Sequence, residues 1–295
     1  MKKIFFIPVI ALLFMSSCLR LDSNLYNGMK LSHYDLDSTK VDQVVNVDAS
    51  FHIPDSLVHI FPLISDDNGN KATIYAEYLG DFSRIATDTV IMYFHGNKGH
   101  MDYYWNRSKI LANTGGKNHF GVMVIDYRGY GMSEGKPTES GMYADGEAAL
   151  AWLKSNGLTG DRLIVYGYSL GTSVATYKTA NPVALKPAKL VLEAPFASAS
   201  TMVQNATLLA VPPNYFTNLS VNNADEIKKV QQPFMWIHGT ADPFLNINTN
   251  GEVVYKNYGG VYKEAHRIAL GTHTNVPAIW GYDNYMAALL AFIRH

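Results

Sequence analysis

Leu163-Ile164-Val165-Tyr166-Gly167-Tyr168-Ser169-Leu170-Gly171-Thr172-Ser173-Val174-Ala175-Thr176 decides the fold. It opens on an apolar run of strand length, turns through Gly-x-Ser-x-Gly at 167–171, and continues into small residues suited to a helix. The five-residue pattern alone recurs by chance in roughly one protein in ten of this length, given ordinary glycine and serine usage. Strand, sharp turn and helix together are what a nucleophile elbow requires. Gly167 and Gly171 let strand and helix approach, while Ser169 takes the strained turn position and presents its hydroxyl at the sheet edge. Ser169 is the candidate nucleophile.

Working outward, strands and helices alternate. Strands are expected at residues 89–94, 122–127, 163–168, 189–193, 234–238 and 266–270, and helices at 103–112, 139–155, 172–179, 249–257 and 282–293. Thr138 is suited to N-cap the helix at 139–155. Two further strands, 57–63 and 72–78, flank a turn-rich Ser65-Asp66-Asp67-Asn68-Gly69-Asn70 connection. Such alternation argues for an α/β fold with a mostly parallel, twisted sheet and helices on both faces. Runs such as Leu190-Val191-Leu192 fit strands buried on both sides. The stretch at about 196–230 is long for a connection and contains Pro212-Pro213, which suggests a short lid insertion.

A serine hydroxyl needs a base, and the base an orienting acid. In a fold of this type they follow in the order Ser, acid, His. His273 lies in Gly271-Thr272-His273-Thr274-Asn275, between the last expected strand and the last helix. That puts an imidazole at the carboxyl edge of the sheet, where catalytic groups gather. Asp242, in His238-Gly239-Thr240-Ala241-Asp242-Pro243, is the acid candidate, with Glu193 as runner-up. Acyl transfer creates an oxyanion, and two preorganised N–H donors contribute on the order of 3 kcal/mol each. Leu170 supplies one such N–H, and the glycine-rich loop Phe94-His95-Gly96-Asn97-Lys98-Gly99 supplies the other, with Asn97 the candidate. His95 and His238 read as structural, as do Asp126 and Arg128. Tyr103, Tyr104, Trp105 and Tyr168 are candidates for the substrate pocket, joined by Met202, Leu208, Leu209, Tyr215 and Phe216 from the insertion.

His95-Gly96-Asn97, Asp126-Tyr127-Arg128-Gly129-Tyr130-Gly131-x-Ser133-x-Gly135, the 167–171 elbow, Glu193-Ala194-Pro195-Phe196 and His238-Gly239-x-x-Asp242 occur in that order. As a set they resemble the α/β-hydrolase family that includes the Bem46-like and ABHD13/ABHD17-like serine hydrolases. The resemblance runs from about residue 90 to the end of the sequence. It implies the α/β-hydrolase fold and the same triad of Ser169, Asp242 and His273; it fixes no substrate.

The start of the chain carries a separate message. Lys2 and Lys3 precede an apolar run at 4–15, and Ser16-Ser17 lead to Cys18, the one cysteine in the sequence. A positive n-region, an apolar h-region and small residues form a secretory signal. Small residues before a cysteine resemble the lipobox of bacterial lipoproteins, although Met15 stands where leucine is usual. The expectation is a signal at 1–17, lipidation of Cys18, a tether and lead-in at 18–50, and the hydrolase domain at 51–295. Such a protein would be exported and held by its acyl chains on a membrane of a bacterial cell envelope.

Composition narrows the classes. With 24 Lys and Arg against 25 Asp and Glu, the net charge is −1. No basic face is offered to nucleic acid, and no metal or organic cofactor is implied. The leading reading is a serine-dependent acyl hydrolase of a carboxylic ester or thioester, acting on a small-molecule or acylated substrate. A serine peptidase of the same fold and a non-catalytic lipid-anchored binding protein are the alternatives.

Overall fold

A computed structural model of the protein describes residues 26–36, 42–202 and 219–295. Its sheet grows from the strand that leads into Ser169. In chain order the strands are β1 (Asn27–Gly28), β2 (Val58–Asp67), β3 (Asn70–Leu79), β4 (Val90–Phe94), β5 (Lys98–Gly99), β6 (Gly121–Asp126), β7 (Leu163–Tyr168), β8 (Lys189–Glu193), β9 (Phe234–Gly239) and β10 (Lys263–Ile268). Eight of them form one sheet in the order β10-β9-β8-β7-β4-β6-β3-β2. Pairing is parallel from β10 to β6, and β3 and β2 add antiparallel at the far edge. The chain runs from β4 to β6 on one side and then crosses to β7 on the other. The carboxyl ends of β4 and β7 therefore flank the switch point, where open α/β sheets bind ligands.

Alternation along the buried strands sorts side chains to two helical layers. Met92, Phe94, Val165 and Leu192 face one core, which holds Met142, Ala149 and Leu153 of α2 (Glu139–Ser155) and Val174 and Ala175 of α3 (Gly171–Ala180). Ile91, Tyr93, Tyr166 and Val191 face the other, which holds Tyr104, Trp105 and Leu111 of α1 (Met101–Ala112). Thr138 caps α2, its hydroxyl accepting from the N–H of Gly141 at 3.0 Å.

Three expectations need correction. Ser65, Asp66, Asp67 and Asn70 are strand, and the hairpin turns through Asn68 and Gly69 alone, at φ 51° and 92°. Two residues at positive φ match the twist of the flanking strands, so the ladder continues to the tip. The last strand spans 263–268 rather than 266–270. Its edge position tolerates Lys263 and Glu264, while Leu270 sits at φ 62°, outside strand geometry.

The third correction concerns the lead-in. Residues 26–36 and 42–50 are not a free tether: β1 pairs with β5, and Tyr34 donates to Asp126 Oδ2 at 2.7 Å. Val45 is fully buried, its carbonyl accepting from Asn106 at 2.7 Å. An irregular segment without periodicity is held here through individual polar and apolar anchors. Cys18 and the rest of the expected signal lie outside the described residues, as do Leu208, Leu209, Tyr215 and Phe216.

Helix α3 touches the sheet closely enough to test. A Cβ on Gly171 would lie 2.0 Å from the Phe94 carbonyl oxygen, and one on Gly167 would lie 2.7 Å from Ala175 Cβ. Because the first obstacle is backbone, Gly171→Ala is expected to cost about 3 kcal/mol or more. A fall in Tm of roughly 6 °C or more should follow. An unchanged melting temperature would show that helix and strand are not this close.

Candidate active site

The turn after β7 holds Ser169 at φ 50°, a left-handed conformation that costs a non-glycine residue about 1–2 kcal/mol. Contacts on both sides fix it there. The Ser169 N–H donates to the Glu193 carbonyl at 3.0 Å, and the Ser169 carbonyl accepts from the N–H of Thr172 at 3.0 Å and its hydroxyl at 2.6 Å. The side chain is thereby lifted above the carboxyl ends of the strands.

His273 comes from the loop after β10, with Nε2 2.8 Å from Ser169 Oγ and Nδ1 2.7 Å from Asp242 Oδ2. A carboxylate only accepts, so Nδ1 carries the imidazole proton and Nε2 accepts from the hydroxyl. The loop after β9 folds around Asp242, whose Oδ1 accepts from the N–H groups of Phe244 and Leu245 at 2.8 and 2.9 Å. His238 sits behind it. Trp236 Nε1 donates to His238 Nδ1, which leaves the His238 Nε2–H toward the Leu245 carbonyl at 3.0 Å and Asp242 Oδ2 at 3.3 Å.

Burial by itself would raise the Asp242 carboxyl. Hydrogen bonds from His238 and His273, the His273 charge and the Leu245 N–H outweigh it and hold Asp242 below the usual carboxylate range. A depressed folded value stabilises the fold above the unfolded pKa of about 4, and that contribution is lost as pH falls through the folded value. The stability gap between wild type and Asp242→Asn should therefore narrow as pH falls below about 4. Urea unfolding at a series of pH values measures it, and a gap that widens toward acid would reverse the assignment.

A cavity of about 520 Å³ opens on Ser169 and His273, within the range of small-molecule sites. Tyr103, Tyr104 and Tyr168 line it, together with Leu170, Asn97 and Met202. Trp105 does not. It is 2% exposed in the core beneath α1, because one residue further along a helix turns the side chain about 100° from its neighbour. Asn97 is held at the end of β4 by its side chain, whose Oδ1 accepts from the Asn27 N–H at 2.9 Å and the Tyr130 hydroxyl at 2.8 Å. Leu170 caps α3 directly after Ser169.

The runner-up acid goes elsewhere. Glu193 accepts from Arg107 Nη1 at 2.9 and 3.0 Å and from the hydroxyls of Tyr166 and Tyr285 at 2.5 and 3.2 Å, all buried. Asp126 accepts from the Met101 N–H at 2.8 Å, and Arg128 pairs with Asp145 at 3.0 Å, both without solvent access. His95 stands with Nε2 3.2 Å from Asp126 Oδ1. Among the described residues, no group of three or more His, Cys, Asp or Glu side chains is arranged to hold a metal ion.

Residues 86–232 match the family model described as Hydrolase_4, serine aminopeptidase, S33. The chain is 27% identical over 205 residues to the Bem46 protein of Schizosaccharomyces pombe, covering 68% of this chain and 67% of that one. It is 30% identical over 159 residues to the human α/β hydrolase domain-containing protein 17B, covering 54% of this chain and 51% of the relative. The chain belongs to the α/β hydrolases of the Bem46/ABHD family. The fold of this hydrolase is also similar to that of the Pyrococcus furiosus esterase Pf2001, with a TM-score of 0.66 at 14% identity over 91% of this chain and 98% of the other.

Sequence reasoning missed several residues at the site of the hydrolase. Tyr26, Asn27 and Asp42 of the lead-in line the cavity, as do Phe196, Ala199, Leu219 and Val221 from the ends of the 196–230 insertion. Those ends are anchored. The Asn223 amide, on the short helix α4 (Asn223–Glu226), donates to the Thr172 hydroxyl at 3.2 Å and the Phe196 carbonyl at 3.0 Å. Arg107 was also missed; an arginine midway along an otherwise core-facing helix, with a glutamate ending a buried strand, was the available signal.

Proposed function

We propose that the hydrolase cleaves a carboxylic ester or thioester through an acyl-enzyme on Ser169. The observation that carries this reading is the unbroken series Ser169 Oγ, His273 and Asp242 at 2.8 and 2.7 Å, opening on the cavity. As Ser169 Oγ attacks the acyl carbon, His273 Nε2 takes its proton. Asp242 holds the tautomer and stabilises the imidazolium. The carbonyl oxygen becomes an oxyanion facing the N–H groups of Leu170 and Asn97. Collapse expels the alcohol or thiol, protonated by His273, and water then releases the acid by the same steps in reverse.

An ester or thioester suits the lining, which is mostly aromatic and apolar side chains, and the esterase described for the similar Pyrococcus fold supports it. Hydrolysis of a peptide bond is the second reading, favoured by the serine aminopeptidase description of the matched family model. Labelling by a fluorophosphonate probe tests the nucleophile: wild type should label and Ser169→Ala should not, with ester turnover falling at least about 10³-fold. A folded wild type that does not react would refute the reading. A panel of acyl esters, thioesters and aminoacyl substrates separates the two bonds.

The lipid anchor at Cys18 is part of the same proposal, supported by the basic, apolar and small-residue order of 1–18. No helix among the described residues is long and apolar enough to cross a membrane. Cys18→Ser should move the protein from the membrane fraction to the soluble one, and unchanged fractionation would refute lipidation.

A further inference from the structure

We infer that Arg107 is a positioning residue for His273, gripping the loop that carries it, with Glu193 as its fixed support. The inference rests on the triad reading for its kinetic consequence, but not for its geometry. Arg107 lies on α1 and is only 4% exposed. Its Nη1 reaches both oxygens of Glu193, and its Nη2 donates to the Thr274 carbonyl at 2.7 Å. The guanidinium also lies over the ring of Tyr168, 4.1 Å from its centroid, and the Tyr168 hydroxyl donates to the His273 carbonyl at 3.0 Å. Two consecutive carbonyls, at 273 and 274, are thus held by side chains from α1 and β7.

Glu193 ties this grip to the nucleophile. Its own carbonyl accepts from the Ser169 N–H at 3.0 Å, while its carboxylate faces Arg107. One residue of β8 therefore sets Ser169 through the main chain and the His273 loop through Arg107. The rings of Tyr168 and His273, 5.6 Å apart, add a direct contact between the two halves. Burial would lower Arg107, but the facing Glu193 charge keeps the guanidinium ionised. A planar fork can engage Glu193, reach Thr274 and stack on Tyr168 at once, and a lysine ammonium cannot. Misplacing an imidazole by about 1 Å costs on the order of 10²-fold in rate.

A purely structural ion pair would affect stability and leave a folded variant fully active. Arg107→Lys keeps a cation beside Glu193 and removes the grip on Thr274; Tyr168→Phe removes the grip on His273. Arg107→Met with Glu193→Gln replaces the pair by neutral groups should the lysine variant fail to fold. In folded variants kcat for an aryl ester should fall about 10- to 100-fold with KM within threefold, the rate of fluorophosphonate labelling should fall in parallel, and the His273 ring signals should move in NMR spectra. Combining Arg107→Lys with Tyr168→Phe should cost less than the product of the single effects, since both act on one loop. Folded variants with wild-type kcat and unmoved His273 signals would overturn the inference. If wild-type Ser169 proves unreactive while those signals still move, the acyl-enzyme reading falls and the positioning role stands.

Discussion

The close approach of α3 to β7, with a strained serine between them, is the constraint on which the site depends. Gly171 lies against the Phe94 carbonyl and Gly167 against Ala175, so the chain reverses within a few residues. Ser169 sits between them at φ 50°. Ala194, one strand away, sits at φ 48° and is fully buried. Left-handed backbone costs each about 1–2 kcal/mol. It persists because main-chain hydrogen bonds join the strained strand ends: Ser169 to Glu193, and Ala194 to Ile237. The two strained residues follow adjacent strands, and each is tied by its N–H to the next strand.

Much of this fold was legible because its signals are local. A parallel strand buried on both faces is apolar along most of its length, so 163–168 and 189–193 stand out with the boundaries observed. Thr138 and the residues after it announce a helix through capping chemistry that needs no tertiary knowledge. Features that depend on partners were not legible. The pairing of Asn27 with Lys98 has no sequence signature, because two residues of backbone ladder require only that the strands meet. Edge strand β10 escaped correct placement for a related reason: with one neighbour it has no need of a continuous apolar run.

The candidate site divides the same way. Ser169, Asp242 and His273 each follow a strand, and the order of the chain brings them to one edge, so their meeting could be anticipated from topology. The cavity wall could not. Tyr26 and Asp42 belong to a segment with no periodicity, and they reach the site only because Tyr34, Val45 and β1 pin that segment down. Trp105 shows the converse failure, since the aromatic run Tyr103-Tyr104-Trp105 looks uniform in sequence while only its first two members line the cavity.

Two carboxylates were eligible to orient the imidazole, and charge alone could not choose between them. Satisfaction of lone pairs does. Glu193 turns its oxygens to one nitrogen of Arg107 and two tyrosine hydroxyls in a region without solvent, away from the imidazole. Asp242 has one oxygen saturated by two backbone N–H groups, which fixes the carboxylate plane, and the other turned to His273. Releasing the arginine from Glu193 would strand a buried charge on each side, and breaking a buried pair in this way costs about 3–5 kcal/mol. The Arg107–Glu193 pair is therefore committed to holding the fold together, and Asp242 is the carboxylate that meets His273.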